Sequence, residues 1–553
     1  MPGEGPRLLN GERGSTLLWR DLAFYPPSDP VSSARRKARG FPISSRTLVF
    51  VPSIGLGYGL AELLGRLPEQ CAVVCAEVFP EVMAEAIRVG LPRDPRIVVV
   101  RTEDPEALVA AVRAMGVGRF RRVVEAPLCA GYRLARQTYE RMRQAIAQEL
   151  AGYWRNRLTL TALGSRMVCN LLDNLTLLPE AGDIGDLGTE LPVVVVGAGP
   201  SLDSTLEPLA PLRDRFALVA VDTAVPALAA RSIVPDLIVA LEAQASNLQD
   251  FIPARDPAPL LACELASHPS VARLYRGRLF FFSSAFAPLP IFDRLAGAGI
   301  LPTPIPGLGS VGVCAAYLAL RLTRGDVYLT GLDFSFPGGR THARGTPYHL
   351  AMLHRCERVK PIGQLAYQAM AARDRIHVRG KDGASLQTDG VLRSYRDTLR
   401  RETAAEARRI IDIGDVGMDL DLRAVSVTEA AGRLKKSARG SGFGVSGRGS
   451  ADASRRERFD GRRIQEFLRA ERDLLVRASE AARQAASNRI VDPACAELIR
   501  AVQHAWVHFP DDPDPAEAGP SFLARASVAS GYYANRADRL CSLLGGLEDG
   551  QEG

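Results

Sequence analysis

PVVVVGAGPSLD, residues 192–203, is the stretch on which the fold turns. Four consecutive valines, Val193 to Val196, suit a strand buried on both faces of a parallel sheet. Gly197 and Gly199 let the chain turn sharply and approach a ligand or another backbone. Pro200 suits the first turn of a helix, because its missing N–H is a group that a helix start leaves unpaired anyway. Ser201 adds a hydroxyl. Free amides at such a helix start, together with its dipole, favour a phosphate or another anion. The alternative is a plain tight turn between strand and helix.

Outward from this loop the pattern repeats. Strands are predicted at 216–221, 236–241, 259–263, 278–282 and 326–330, with helical patterns between most of them. Alternating strands and helices predict an α/β fold with a doubly wound, Rossmann-like central domain over 191–431. In such sheets ligands gather at the carboxyl ends of strands. Asp222-Thr223 stands at one such end. Its carboxylate suits ribose or base hydrogen bonds, and equally suits a cap on the helix that begins near Ala224. Asp236 and Glu242 flank the next strand with weaker claims. Gly309-Ser310 precedes an apolar helix, 310–323, and forms a second candidate anion site. Strand 326–330 runs into Gly331-Leu332-Asp333-Phe334 and then a polar loop with Arg340, Thr341 and His342. The chain has seven histidines. Three of them, His342, His349 and His354, follow this one strand, with Arg340 and Arg344 beside them. His342 is the first candidate for a catalytic base and His349 the second.

Several motifs are weighed and set aside. The dinucleotide fingerprint asks for a small residue where Leu202 stands. Gly55-Leu-Gly57-Tyr-Gly59 with Glu77 resembles a methyltransferase cofactor loop, but Ser53 occupies the position where that family carries an acid. The spacing of His342 and His349 is no standard zinc pattern, so no metal site is predicted. Asp419-Leu420-Asp421 is a DxD outside the strand–loop core and reads as coincidence.

The rest of the chain divides by composition. Residues 1–45 are rich in Gly, Pro, Arg and Ser and read as an N-terminal arm. Residues 46–130 show strands near 47–51, 72–76 and 96–100, and predict a smaller N-terminal α/β domain. Residues 131–190 read as a connector of two or three helices, ending in a Gly/Asp loop. Residues 432–458 are Gly-, Ser- and Arg-rich and predict a flexible linker. Residues 459–553 predict a C-terminal helical segment.

The chain has 553 residues, 46% hydrophobic and 24% charged, with a formal net charge of +7. That is ordinary globular composition, long enough for several cores. The mild, Arg-dominated excess suits phosphate oxygens, and no nucleic-acid motif accompanies it. Nine cysteines without a CxxC pair predict a reducing compartment. No secretory pattern opens the chain and no apolar run approaches membrane length, so a cytoplasmic location without a membrane partner is expected.

Taken in order, VVGAGPSLD, AVDTAVPAL, IVPDLIVAL, GLGSVGVCAAYLAL, VYLTGLDFSF and THARG form a series that resembles the motility-associated-factor (Maf) flagellin glycosyltransferases. The upstream GLGYGLAELL and WRNRLTLTALGSRMVCNLLDNL look like that family's N-terminal domain and connector. The resemblance covers roughly residues 46–430. The family's central domain is similar to bacterial sialyltransferases that use CMP-sugars. The resemblance therefore implies a CMP-activated nonulosonic acid as donor and a Ser or Thr hydroxyl of flagellin as acceptor, with no cofactor. It implies a nucleotide-sugar site at Gly197, Gly199, Pro200, Ser201, Asp222, Thr223, Gly309, Ser310, Gly331, Asp333 and Thr341. On this reading amides at Gly197–Ser201 stabilise the departing phosphate. The same domain family includes pterin pyrophosphokinase-like members that use ATP, which keeps a second enzyme class open. A non-catalytic flagellin-binding protein is the third.

Overall fold

The computed structural model describes residues 5–68, 70–252, 259–440, 442–445 and 459–549. They fall into two compact units, Met1–Ala162 and Leu163–Gly553. The division lies inside one 40-residue helix, Arg136–Leu175.

The first unit holds two sheets. Strands β1 (Arg7–Gly11), β2 (Gly14–Trp19) and β3 (Leu22–Ala23) form an antiparallel sheet, and the helix Pro30–Gly40 follows. Residues 7–40 are therefore not a loose arm. Leu17, Phe24, Tyr25 and Ala34 are almost fully buried and share a small core with Leu56 and Cys129. A segment full of Gly and Arg still contributes five or six well-placed apolar side chains, and composition averages them away. Strands β4 (Thr47–Pro52), β5 (Ala72–Glu77), β6 (Ile97–Arg101) and β7 (Arg122–Glu125) form a parallel sheet in the order β6-β5-β4-β7. β7 was not anticipated: its Arg-Val-Val-Glu is short and half charged. The first half of the long helix buries Tyr139, Met142, Ile146 and Leu150 against this sheet. The expected break into two or three helices does not occur: one helix runs through Gly152 and Gly164.

The second unit is built on nine parallel strands. In chain order they are β8 (Gly182–Asp183), β10 (Val193–Val196), β11 (Ala217–Val221), β12 (Leu237–Ala240), β13 (Leu260–Glu264), β14 (Leu279–Phe282), β15 (Val327–Thr330), β18 (Ile410–Asp412) and β19 (Arg423–Ala424). Across the sheet the order is β19-β18-β15-β10-β11-β12-β13-β14-β8. Four short strands lie outside it: β9 (Leu187–Gly188), the antiparallel pair β16 (Arg375–Arg379) and β17 (Ser385–Asp389), and β20 (Gly444–Val445). Every residue of β10, β11, β12 and β15 is buried, as helices on both faces require. The strands predicted from 193 to 330 match within one residue at each end.

The chain leaves β10 and lays β11 to β14 on one side, then returns to place β15 and β18 on the other. Residues after β10 and β15 thus flank the point where the winding reverses, the usual ligand crevice of such sheets. The second half of the long helix is fastened nearby. Asn170 Nδ2 donates to the carbonyls of Ala243 and Ala266 at 2.9 and 3.0 Å. Asn174 Nδ2 donates to those of Leu265 and Ser267, both at 2.8 Å.

Of the linker expected at 432–458, residues 441 and 446–458 lie outside the described set. Gly432 to Leu434 close the helix Val427–Leu434, which is capped by Ser426. Gly444-Val445 pairs antiparallel with Leu187-Gly188, and Phe443 packs on the central core. Beyond it two long helices, Gly461–Asn488 and Pro520–Asp549, run antiparallel. Ser479 bonds Ser527, Arg472 bonds Asp538, and Trp506, Phe509 and Phe522 fill the space beside them. An Arg294–Glu471 pair at 2.6 Å, its carboxylate buried and its guanidinium half-buried, ties this segment to the sheet domain. Among the described residues no helix is long and apolar enough to cross a membrane.

Candidate functional site

The loop after β10 meets the loop after β15 directly. Gly197 N donates to Thr330 O and Gly199 N to Gly331 O, both at 2.8 Å. Asp333 then reaches back to the start of the helix Leu202–Leu209. Its Oδ2 accepts from Ser201 N at 2.8 Å and its Oδ1 from Ser201 Oγ at 2.5 Å. Ser201 Oγ also accepts from Gly331 N at 3.0 Å. Glycine is required at 199: a methyl group there would stand 2.6 Å from Asp333 Oδ2 and 2.7 Å from Gly331 O.

These bonds correct one expectation. The amides of Gly197, Gly199 and Ser201 do not wait for a phosphate. Two extend the sheet pairing, and the third holds a carboxylate of the protein itself. Pro200 has no amide to offer. The helix start does bind an anion, and that anion is Asp333. Burial pushes the Asp333 carboxyl up to about 6, and the nearby Lys381 ammonium pulls it back down. Lys381, in the turn between β16 and β17, pairs with Asp412 at the end of β18 at 2.8 Å. Sequence reading missed both residues. Lys381 is one of five lysines in an Arg-rich chain, and only the sheet order shows that β18 ends beside β15.

Asp222 is buried and its acceptors are taken. Oδ1 accepts from Thr223 N at 2.8 Å and Thr223 Oγ1 at 3.0 Å, and Oδ2 accepts from Asn247 Nδ2 at 3.0 Å. The same Asn247 amide bonds Asp250 Oδ2 at 3.0 Å. Burial raises both carboxyls, Asp250 to about 7, with the charge of Asp222 adding to it. Asp222 thus caps its own turn and joins a closed carboxylate–amide cluster, which leaves Thr223, half-buried, as the more accessible member of the pair. Ser310 caps the helix Val311–Leu322 by position, without a side-chain cap bond, and stays partly exposed. Leu332 packs over both Gly197 and Gly312, so this helix start lies beside the first loop.

The histidine loop returns to the same place. Ala343 N donates to Ala198 O at 2.8 Å. Asp203, in the first turn after Ser201, accepts from Arg344 N at 3.0 Å and pairs with Arg340 at 2.7 Å. Gly345 lies against Ala227. A cavity of about 300 Å³ opens here, lined by Arg340, Thr341, His342, Arg344 and His349 together with the apolar Tyr348, Met352, Ile362 and Ala366. His342 Nδ1 bonds Thr341 Oγ1 at 3.1 Å, and its ring leans on Tyr348 at 4.8 Å. Burial pushes the His342 imidazole down to about 4, with the Arg373 charge adding to it. His349 Nδ1 accepts from Gly345 N at 3.2 Å, and burial lowers its imidazole too. His342 is therefore neutral at pH 7 with a ring nitrogen able to accept a proton, whereas His349 spends one nitrogen on the loop backbone. His354 ends its helix away from the cavity lining. Asp419 and Asp421 hold no open carboxylate pair: Asp421 Oδ2 accepts from Arg396 and Arg400, both at 2.9 Å.

The class that fold and site define is an α/β protein with a loop-built, cation-lined cavity at the switch point of a doubly wound sheet. Residues 167–339 match the family described as 6-hydroxymethylpterin diphosphokinase MptE-like. Over 372 residues the chain is 29% identical to an uncharacterized protein of Treponema pallidum (strain Nichols); the match covers 66% of this chain and 65% of that relative, a little under two thirds of it. The fold is similar to that of a Maf glycosyltransferase from Magnetospirillum magneticum AMB-1, with a TM-score of 0.54, 15% identity, and coverage of 98% of this chain and 89% of that one.

Proposed function

We propose that this protein is a glycosyltransferase that moves a nonulosonic, sialic-acid-like sugar from a CMP-sugar to a Ser or Thr hydroxyl of flagellin, in the cytoplasm, in support of flagellar assembly and motility. The observation that carries the reading is the Ala343–Ala198 hydrogen bond, which folds the Arg340–His349 loop onto the Gly197–Ser201 loop at the switch point. The motif series and the fold shared with the Maf glycosyltransferase support the sugar-transfer class.

In this mechanism the CMP phosphate departs as the sugar carbon gains oxocarbenium character. The amides of Gly197, Gly199 and Ser201 are occupied, so the charge on the departing phosphate falls to Arg340 and Arg344 at the cavity. Ser310 and Thr223, each partly exposed at its helix or strand end, orient the nucleotide. His342 takes the proton of the acceptor hydroxyl. With its imidazole near 4 it is a modest base, neutral at pH 7.

The family match over 167–339 favours a second reading, transfer of pyrophosphate from ATP. Calorimetry with CMP, with ATP plus Mg²⁺, and with S-adenosylmethionine separates the classes. Heat from CMP alone supports sugar transfer. Heat from ATP–Mg²⁺ alone overturns it in favour of the pyrophosphokinase class.

A further inference from the structure

The segment 337–373 combines two properties that a solvated surface rarely has together. It carries six Arg and Lys residues and one Glu, a surplus of five positive charges in a chain whose formal excess is seven. Arg340 and Arg373 have carboxylate partners in Asp203 and Asp389. Arg355, Arg358 and Lys360 are exposed and hold no ion pair among the described residues. The same segment exposes large apolar side chains: Leu350 at 40%, Leu353 at 46%, Tyr367 at 57% and Val359 at 76%. In the helix Pro347–His354 only Met352 is buried. Apolar groups this exposed, adjoining one another and rimmed by charge, mark an interaction surface.

The surface is continuous with the cavity. Tyr348 and Met352 line it from one turn of that helix, and Ile362 and Ala366 line it from the helix Ile362–Ala371. Leu350, Leu353 and Tyr367 are exposed on the same two helices. The cavity is concave, and its apolar lining of Tyr348, Met352, Ile362 and Ala366 suits an inserted side chain, which a flat lipid surface cannot supply. The exposed apolar residues also lie around the helix Pro347–His354 rather than in one plane, unlike an interfacial membrane helix.

We infer that the face formed by the helices Pro347–His354 and Ile362–Ala371 docks an acidic segment of the acceptor polypeptide bearing a large apolar residue, with Arg355, Arg358 and Lys360 pairing its carboxylates and the apolar lining Tyr348, Met352, Ile362 and Ala366 taking the apolar side chain, which leaves the Arg340–His342 lining to the reacting groups. As a statement about an acceptor, this rests on the transfer reading above. As a statement about binding, it is tested without it.

The test is an array of random 15-residue peptides probed with the full chain, the double variants Leu353→Glu/Tyr367→Glu and Arg355→Glu/Arg358→Glu, and Val528→Glu as a distant control on an exposed helix position. All substituted residues are exposed, and a thermal melt verifies that each variant folds. The expected bound set is enriched in Asp, Glu, Leu and Phe. Each double variant loses roughly tenfold in binding, and Val528→Glu binds as the parent does. A bound set without charge preference overturns the proposal, as does binding unchanged in both double variants. Binding confined to phosphatidylglycerol vesicles, and lost in the same variants, overturns it in favour of a membrane contact. CMP calorimetry on the same proteins keeps the two readings apart. Peptide binding without CMP heat leaves the docking face standing and removes sugar transfer, and CMP heat without selective peptide binding does the reverse.

Discussion

Each unit contains a glycine-rich loop after a buried strand, and each loop is gripped by a buried carboxylate from a neighbouring strand. After β4, Glu77 at the end of β5 accepts from Ser53 Oγ, Ile54 N, Phe79 N and Tyr139 OH, at 2.9 to 3.1 Å. After β10, Asp333 beyond β15 accepts from Ser201 N and Oγ. Glycines and an acid are therefore a packing device in both places. What differs is the surroundings. Glu77 lies on the side where winding continues, its four donors saturate it, and Tyr25 and Cys129 fill the space over the loop. Asp333 lies across the winding reversal, with Lys381 and Asp412 behind it and a returning loop of arginines and histidines in front. On the proposed reading, the chemistry follows the returning loop, not the glycines.

The largest test of that contrast is His342→Ala. A single positioned base contributes on the order of 10²–10⁴ in rate. Turnover at saturating donor is expected to fall by that factor while CMP affinity by calorimetry is retained. The acid limb of the parent's pH–rate profile should have its midpoint near 4 rather than near 6.5, because burial holds the imidazole low. Glu77→Gln, at the other loop, should leave turnover untouched. Near-normal turnover in His342→Ala would move the base to another residue.

Next come the two carboxylates themselves. Glu77→Gln and Asp333→Asn each set an NH₂ against a backbone N–H or a hydroxyl, which costs about 1–3 kcal/mol. Chemical denaturation should show both losses. Only Asp333→Asn should also weaken CMP binding, since it loosens the loop that positions Ala198 and Ala343. If both variants bound CMP equally well, the difference between the two loops would be one of packing alone.

A smaller effect follows from pH. Asp333 is raised to about 6, and Asp250 and Glu264 to about 7, in each case by burial first. A carboxyl raised on folding contributes stability that is fully present below its unfolded value near 4 and is lost as pH climbs through the folded value. Stability should therefore decline between about pH 4 and 7. Asp250→Asn should flatten part of that slope in denaturant midpoints measured at pH 5 and pH 8. An unchanged slope would mean that Asp250 titrates normally.

The strands of the second unit were legible because Val193–Val196 and its neighbours are short apolar runs between clear turn residues. β18 was not: Ile-Ile-Asp is three residues long and takes its meaning only from pairing with β15. The same limit governs the site. Gly197, Asp333 and His342 could be singled out as loop residues after strands. That Asp333 bonds Ser201 depends on which strands are neighbours, 132 residues apart in the chain. The segment 7–40 was misread because its buried residues are few and separated, so that composition outweighed pattern.

The DxD at Asp419–Asp421 gives the smallest expected effect. Asp421 is 46% exposed on its side chain and shared by two arginines, a surface arrangement worth about 0–1 kcal/mol. Its φ of 54° lies in the left-handed region, which Asn adopts with little penalty and alanine less readily. Asp421→Asn should thus shift stability by no more than about 0.5 kcal/mol, and Asp421→Ala by somewhat more, through the backbone rather than through charge. CMP calorimetry of Asp421→Asn, run with Mg²⁺ and again with EDTA, should match the parent in both. A Mg²⁺-dependent loss of affinity confined to the variant would turn the pair into a metal site and make a region with no returning loop part of the chemistry, against the contrast between the two glycine loops.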